Sequence, residues 1–276
     1  LAGAGAGGAA AAPAAGGPGT APVVIGSATG GPSALSTVLA GLPADFPRPV
    51  VIVQHMPPGF TASLARRLDR LSPLKVDEAV EQRRPQPGEA WIAPGGVHLV
   101  FDELGRMCYS HAAPHLGMRP AVDLTLESAV DVWGGDVIAV ILTGMGVDGA
   151  RGARKLKKAG GTVLAQDEAT SVVYGMPRAV AEMGLADAVK PLPEIAQALA
   201  ALVGARRGGA ARRRRVDGCE PAGAGGRARR QAQADEEAGC CSLSSRTSRQ
   251  DRNTFTFSGR CGTCPGWICA PTKSGR

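Results

Sequence analysis

No run of this 276-residue chain approaches the ~18 uninterrupted apolar residues of a membrane-spanning helix, so insertion into a bilayer is not expected. Nor is there a basic segment followed by a leucine-rich one at the start, so a secretory signal is not expected. Residues 1–22 are almost entirely Ala, Gly, Pro and Thr, a composition that cannot bury a core and behaves as a linker. Because the chain starts at Leu1 rather than Met, a segment upstream is expected to have been removed. Cysteine is nearly missing from residues 23–205, where Cys108 stands alone, and such a body builds no disulfide and fits a reducing cytoplasm. The other cysteines are Cys219, Cys240, Cys241, Cys261, Cys264 and Cys269. Cys261-x-x-Cys264 with Cys269 has the opening of a zinc site, yet no histidine and no second CxxC accompanies it, and no metal is expected. A G-x-G-x-x-G fingerprint and a phosphate loop ending in Gly-Lys-Ser/Thr are also absent, so no cofactor is expected. No internal repeat stands out.

Charge is distributed unevenly. Residues 206–276 hold 15 Lys+Arg against 6 Asp+Glu, a net of +9, whereas residues 1–205 hold 16 against 18, a net of −2. The overall +7 therefore belongs to the tail and says nothing about the foldable part. A basic run can bind nucleic acid or an anionic surface. Residues 206–276 show no sustained hydrophobic period, however, and are expected to be an unstructured tail without a nucleic-acid partner. This gives three parts: a linker over 1–22, one domain over 23–205 and a basic tail over 206–276.

The central part alternates strand-like and helix-like stretches. Strands are expected at Val23–Ile25, Val50–Val53, Leu74–Ala79, Ala90–Ile92, Val97–Phe101, Val137–Leu142, Thr162–Ala165 and Ala188–Val189. Helices are expected at Ser33–Leu42, Thr61–Leu71, Val122–Trp133, Gly149–Ala159, Met176–Met183 and Leu192–Val203. This alternation predicts an α/β domain with a mostly parallel, doubly wound sheet and helices on both faces. The strands between 74 and 101 lack intervening helices and predict an antiparallel hairpin at one edge. Ser33 and Thr61 are expected helix caps.

Three strand ends carry polar groups together. Gly26-Ser27-Ala28-Thr29-Gly30-Gly31, Gln54-His55-Met56-Pro57-Pro58-Gly59-Phe60 and Thr143-Gly144-Met145-Gly146-Val147-Asp148-Gly149 each follow a continuous apolar run. Such runs read as strands buried on both faces, and in parallel sheets ligands bind beyond the carboxyl ends. Each segment has a plain alternative. Gly26–Gly31 is a tight βα turn, a phosphate cradle or a G-x-S-x-G elbow whose centre is Ala28, with the serine displaced to Ser27. His55 is either structural or a general base, and Asp148 either caps the next helix or orients an imidazole. Backbone N–H groups around Met145–Gly146 suit an oxyanion. His111 and His115 have i, i+4 spacing broken by Pro114, and His98 is placed to hydrogen-bond a nearby loop. Arg119 and Asp123 form a local ion pair or meet an acidic substrate. Met56, Met145 and Met176 line core or pocket.

Together these segments resemble the catalytic domain of the bacterial chemotaxis protein-glutamate methylesterases. The resemblance rests on IG-x-x-TGG (25–31), QHMPPGF (54–60), IAPGG-x-H (92–98), RP-x-VD (119–123), ILTGMG-x-DGA (141–150) and AQ-x-EA-x-x-VV-x-GMPR (165–178), and spans Val23 to Leu202. It implies a cytoplasmic α/β parallel-sheet domain that hydrolyses glutamate methyl esters on methyl-accepting chemotaxis receptors and deamidates certain receptor glutamines by a Ser/His/Asp mechanism. His55 and Asp148 match the family's histidine and aspartate, and Thr29 and Met145 offer the backbone oxyanion donors. The family's serine falls at Ala28. A methyl group cannot attack a carbonyl, so impaired activity is expected unless a slipped turn brings Ser27 to His55. The alternative reading is an inactive receptor-binding or regulatory module of the same fold. The resemblance also implies an amino-terminal receiver domain, which this chain lacks; residues 1–22 look like the end of its linker.

Overall fold

The computed structural model describes residues 18–216, with side chains through residue 204. The expectations for residues 1–17 and 217–276, including those for the six cysteines from Cys219 onward, lie outside the described residues. A seven-stranded sheet, all of whose strand pairs are parallel, runs in the order β3-β4-β2-β1-β7-β8-β9. Its strands are β1 (Val23–Ser27), β2 (Val50–Gln54), β3 (Lys75–Glu78), β4 (Glu89–Ile92), β7 (Ile138–Ile141), β8 (Thr162–Gln166) and β9 (Ala188–Lys190). β5 (His98–Phe101) and β6 (Met107–Ser110) form a separate antiparallel pair.

The helices divide between the two faces. α1 (Gly31–Ala40), α2 (Thr61–Asp69) and α6 (Leu192–Val216) cover one face, where Leu35, Leu64 and Leu199 pack on Ile25, Ile52 and Val140. α3 (Val122–Trp133), α4 (Ala150–Lys158) and α5 (Met176–Glu182) cover the other, with Leu126, Leu156 and Val180 against Val24, Val51 and Ala139. Burial on both faces explains the continuous apolar runs of β1, β2 and β7. α4 shows the complementary helix pattern: Ala150, Ala153 and Leu156 are buried, and Lys155, Lys157 and Lys158 gather at the end where the helix dipole favours cations. Among the described residues no helix is long and apolar enough to cross a membrane.

Several local expectations are corrected. β3 and β4 are parallel neighbours within the large sheet, joined by a helix-free connection, so no hairpin forms there. The antiparallel pair instead joins β5 to β6, and Met107–Ser110 was missed because its four residues are too short for a periodic signal. Ser33 does not cap α1: the helix starts at Gly31, and Gly30 precedes it at φ 83°, a left-handed conformation that a side chain disfavours. Thr61 is the first residue of α2 rather than its cap, and its hydroxyl donates to Glu78.

Candidate functional site

β2, β1 and β7 are adjacent, with Ser27 opposite Gln54 and Gly26 opposite Ile141. The three polar segments therefore leave the sheet side by side, at the edge where strand order turns outward from β1. There a cleft of about 650 Å³ is lined by Ala28, Thr29, His55, Met118, Arg119 and Met145, among others.

His55 and Asp148 meet beneath this cleft. His55 Nε2 lies 2.7 Å from Asp148 Oδ2, both side chains being buried. Asp148 does not cap the helix that follows it. Its Oδ2 accepts the Val122 N–H at 2.7 Å and its Oδ1 the Asp123 N–H at 2.9 Å, so it caps α3 instead. Asp123 reciprocates: its Oδ1 accepts the N–H groups of Gly149 and Gly152, at 2.9 and 2.8 Å, at the start of α4. Each helix start is thus satisfied by a carboxylate at the start of the other, Asp148 just before α4 and Asp123 in the first turn of α3. Burial works to raise the Asp148 pKa, but the hydrogen bonds from His55 and from the Asp123 and Val122 backbone outweigh it and hold the carboxyl below its ordinary value. An ionised Asp148 accepts from Nε2–H, which fixes the tautomer with a lone pair on Nδ1. No hydrogen bond occupies Nδ1 among the described residues.

The serine and the alanine face opposite ways. Side chains alternate along β1: Val23 and Ile25 point toward α1 and α6, Val24 toward α3. Ser27 shares the parity of Val23 and Ile25. It is fully buried and donates to Gln54 Oε1 at 2.7 Å, so the slipped turn that would carry it to His55 is not adopted. Ala28 is the residue that lines the cleft. Gln54 Nε2 also donates to the carbonyls of Ala28 at 2.9 Å and His55 at 3.1 Å, tying the first two strand ends together. Gly31 is required beside it, because a Cβ there would stand 1.9 Å from Gln54 Oε1.

The third loop is pinned to the first. Ala28 N–H donates to the Thr143 carbonyl at 3.0 Å, and Thr143 Oγ1 donates to the Thr29 carbonyl at 2.9 Å. Thr143 N–H in turn donates to Gln166 Oε1 at 2.8 Å. A Cβ on Gly144 would lie 2.8 Å from the Ala28 methyl, so the backbone closes tightly over that position. Thr29 and Met145 both line the cleft, and neither N–H makes a hydrogen bond among the described residues.

The remaining candidates fall outside this centre or support it. Asp123 pairs with His115 Nε2 at 2.9 Å, not with Arg119. His111 is exposed, so the i, i+4 histidines do not act together. His98 is buried and bonds the Ala113 carbonyl through Nε2 at 3.2 Å, anchoring the segment that carries Arg119 along the cleft wall. Its burial lowers its pKa, the Ala113 bond opposing, and its Nδ1 has no partner. Met176 is buried, Met56 half-buried in the cleft wall and Met145 71% exposed at the rim. Ligand atoms of His115, Asp123 and Asp148 lie within 4.8 Å of one another, the spacing of a metal-binding group. Every carboxylate oxygen among them already accepts an N–H or faces an imidazole nitrogen, a donor set arranged for protons rather than for a cation. Sequence reasoning missed Gln54 and the capping role of Asp123; for Gln54, the signal was a polar residue ending a strand otherwise made of Val and Ile.

Comparison with known proteins gives a consistent picture. The family model described as CheB methylesterase matches residues 23–199. A Symbiobacterium thermophilum protein named protein-glutamate methylesterase/protein-glutamine glutaminase is 51% identical over 182 residues, covering 66% of this chain and 50% of that protein. A Thermotoga maritima protein of the same name is 50% identical over 184 residues, covering 66% of this chain and 54% of its own length. The crystal structure of the Thermotoga maritima CheB methylesterase catalytic domain superposes with a TM-score of 0.65 at 48% identity, covering 66% of this chain and 98% of that one. The chain spans about half the length of the curated relatives it matches.

Proposed function

This chain belongs to the CheB methylesterase family, and from that premise we propose that residues 23–205 form the catalytic domain of a protein-glutamate methylesterase whose nucleophile position is vacated by Ala28. The observation that carries the reading is the His55–Asp148 pair, 2.7 Å apart under a cleft that Ala28 lines. With a serine at 28, the Nδ1 lone pair of His55 takes the hydroxyl proton as oxygen attacks the ester carbonyl. Asp148 holds the ring and stabilises the imidazolium, while the N–H groups of Thr29 and Met145 receive the oxyanion. The imidazolium returns its proton to the departing methoxide. Water, deprotonated by the same ring, then frees the glutamate and restores the serine. The same steps with ammonia leaving convert glutamine to glutamate, the second activity in the relatives' name.

Substrates on methyl-accepting receptors, a receiver domain preceding residues 1–22 and a cytoplasmic setting belong to this same proposal. So does the division into linker, domain and tail. The chain as it stands keeps the cleft without the attacking hydroxyl, which favours a second description of the same molecule: a module that holds methylated receptor segments without turning them over. Ala28→Ser is expected to raise methanol release from a methylated receptor segment on the order of 10³-fold or more, by analogy with the loss when a serine nucleophile is removed. A correctly folded Ala28→Ser chain that releases no methanol would refute the assignment; turnover by the unaltered chain, abolished by Ser27→Ala, would transfer it to Ser27.

A further inference from the structure

Arg119 is the only permanently charged side chain among the residues lining the cleft. Its surroundings there are apolar, Met118, Met145 and Pro57 included. The ion pair with Asp123 that their spacing allowed does not form, because Asp123 is taken by His115 and by the α4 backbone. Among the described residues Arg119 makes no salt bridge, and its guanidinium donates only to the Ala112 carbonyl, at 3.3 Å. The backbone beneath it is held in place: its carbonyl accepts the Gly96 N–H at 3.1 Å, and His98 anchors the same segment through Ala113. A cation carried on a held backbone with most of its donors unspent, beside a place for a neutral ester, suits a carboxylate.

We propose that Arg119 recognises a carboxylate of the segment bound in the cleft. This inference rests on the methylesterase reading and deepens it. Two sources supply the same chemistry: an acidic side chain flanking the ester, or the glutamate that hydrolysis produces. The Ala28 chain suits the measurement, because it binds an ester without consuming it.

Three labelled peptides of one sequence are titrated against the chain and against Arg119→Gln and Arg119→Lys: a methyl-ester peptide flanked by glutamates, the same ester flanked by glutamines, and a glutamine-flanked peptide with free glutamate in place of the ester. For a flanking carboxylate, the acid-flanked ester binds about fivefold to tenfold tighter than its neutral counterpart, the scale of a partly exposed charge-assisted contact. Arg119→Gln erases that preference, Arg119→Lys retains part of it, and added salt weakens it. If the product carboxylate is the ligand, only the free-glutamate peptide shows the Arg119-dependent gain. Equal affinities for all three peptides, or a preference that survives Arg119→Gln, overturns the inference. Methanol release by Ala28→Ser from the glutamine-flanked ester is the separate control: if it occurs while the charge preference is absent, the methylesterase reading stands and the role of Arg119 falls. Absence of both binding and methanol release overturns the two together.

Discussion

At Asp148 one buried carboxylate serves two purposes, since it accepts two backbone N–H groups of α3 and holds the ring of His55. Its pKa is depressed in the folded chain, so its contribution to stability is complete above the ordinary carboxylate pKa. That contribution is lost as pH falls through the lower folded value. Asp148→Asn is expected to cost about 2–4 kcal/mol at neutral pH, because an amide cannot accept all three donors and directs its own N–H₂ at one of them. Unfolding curves across pH provide the check: the gap between the two chains should narrow in acid, and a gap constant down to the lowest pH would contradict the linkage. In an Ala28→Ser background the same substitution should also depress turnover, since the imidazolium loses its counter-charge. The sequence displayed Asp148 as the sole ionisable group in its loop, but its partners come from α3, 25 and 26 residues away in the chain. Local propensity could suggest only a cap for the nearer helix.

Among the elements, the exchange of caps between α3 and α4 makes the two helix starts a single unit. Asp123→Ala leaves the N–H groups of Gly149 and Gly152 without their acceptor and His115 without its carboxylate. The expected loss is about 1–3 kcal/mol, one to two caps' worth, read from denaturant midpoints. The loop that carries Asp148 runs directly into the helix start that these two N–H groups anchor. In the Ala28→Ser background, turnover should therefore fall along with stability, and Asp123→Asn, which keeps one acceptor, should recover part of both. Unchanged stability in Asp123→Ala would show that the exchanged caps contribute nothing. Strands and helices of the large sheet were legible because burial on both faces writes long apolar runs, and Val122–Trp133 emerged with the boundaries expected for it. The parallel pairing of β3 with β4 was not legible. A crossover without a helix carries no periodic signature, and only the tertiary fold selects it over a hairpin.

At the scale of the molecule, the buried apolar side chains that fill both faces of the sheet lie, among the described residues, between Ala21 and Val203. A chain cut after Ala205 is therefore expected to keep its stability to within about 1 kcal/mol, measured by calorimetry. A marked fall in Tm would mean that residues beyond 205 support the fold. The cut also removes the segment of net +9 and leaves one of net −2, so any retention on an anionic column should disappear with it. At this scale the juxtaposition of 26–31, 54–60 and 143–149 was readable from the rule that parallel strands present their ends together. That Ser27 faces inward was not legible, because β1 runs two residues past the expected Val23–Ile25 and the partner, Gln54, comes from the neighbouring strand.

Gln54 has one more implication. It fastens the elbow through the hydroxyl of Ser27 and the carbonyls of Ala28 and His55, and it makes no use of whatever side chain stands at 28. Exchanging alanine for serine there is expected to leave those hydrogen bonds in place. On the proposed reading, the chemistry at 28 and the architecture around it are therefore separable: one side-chain oxygen would switch the first while the second stays as it is.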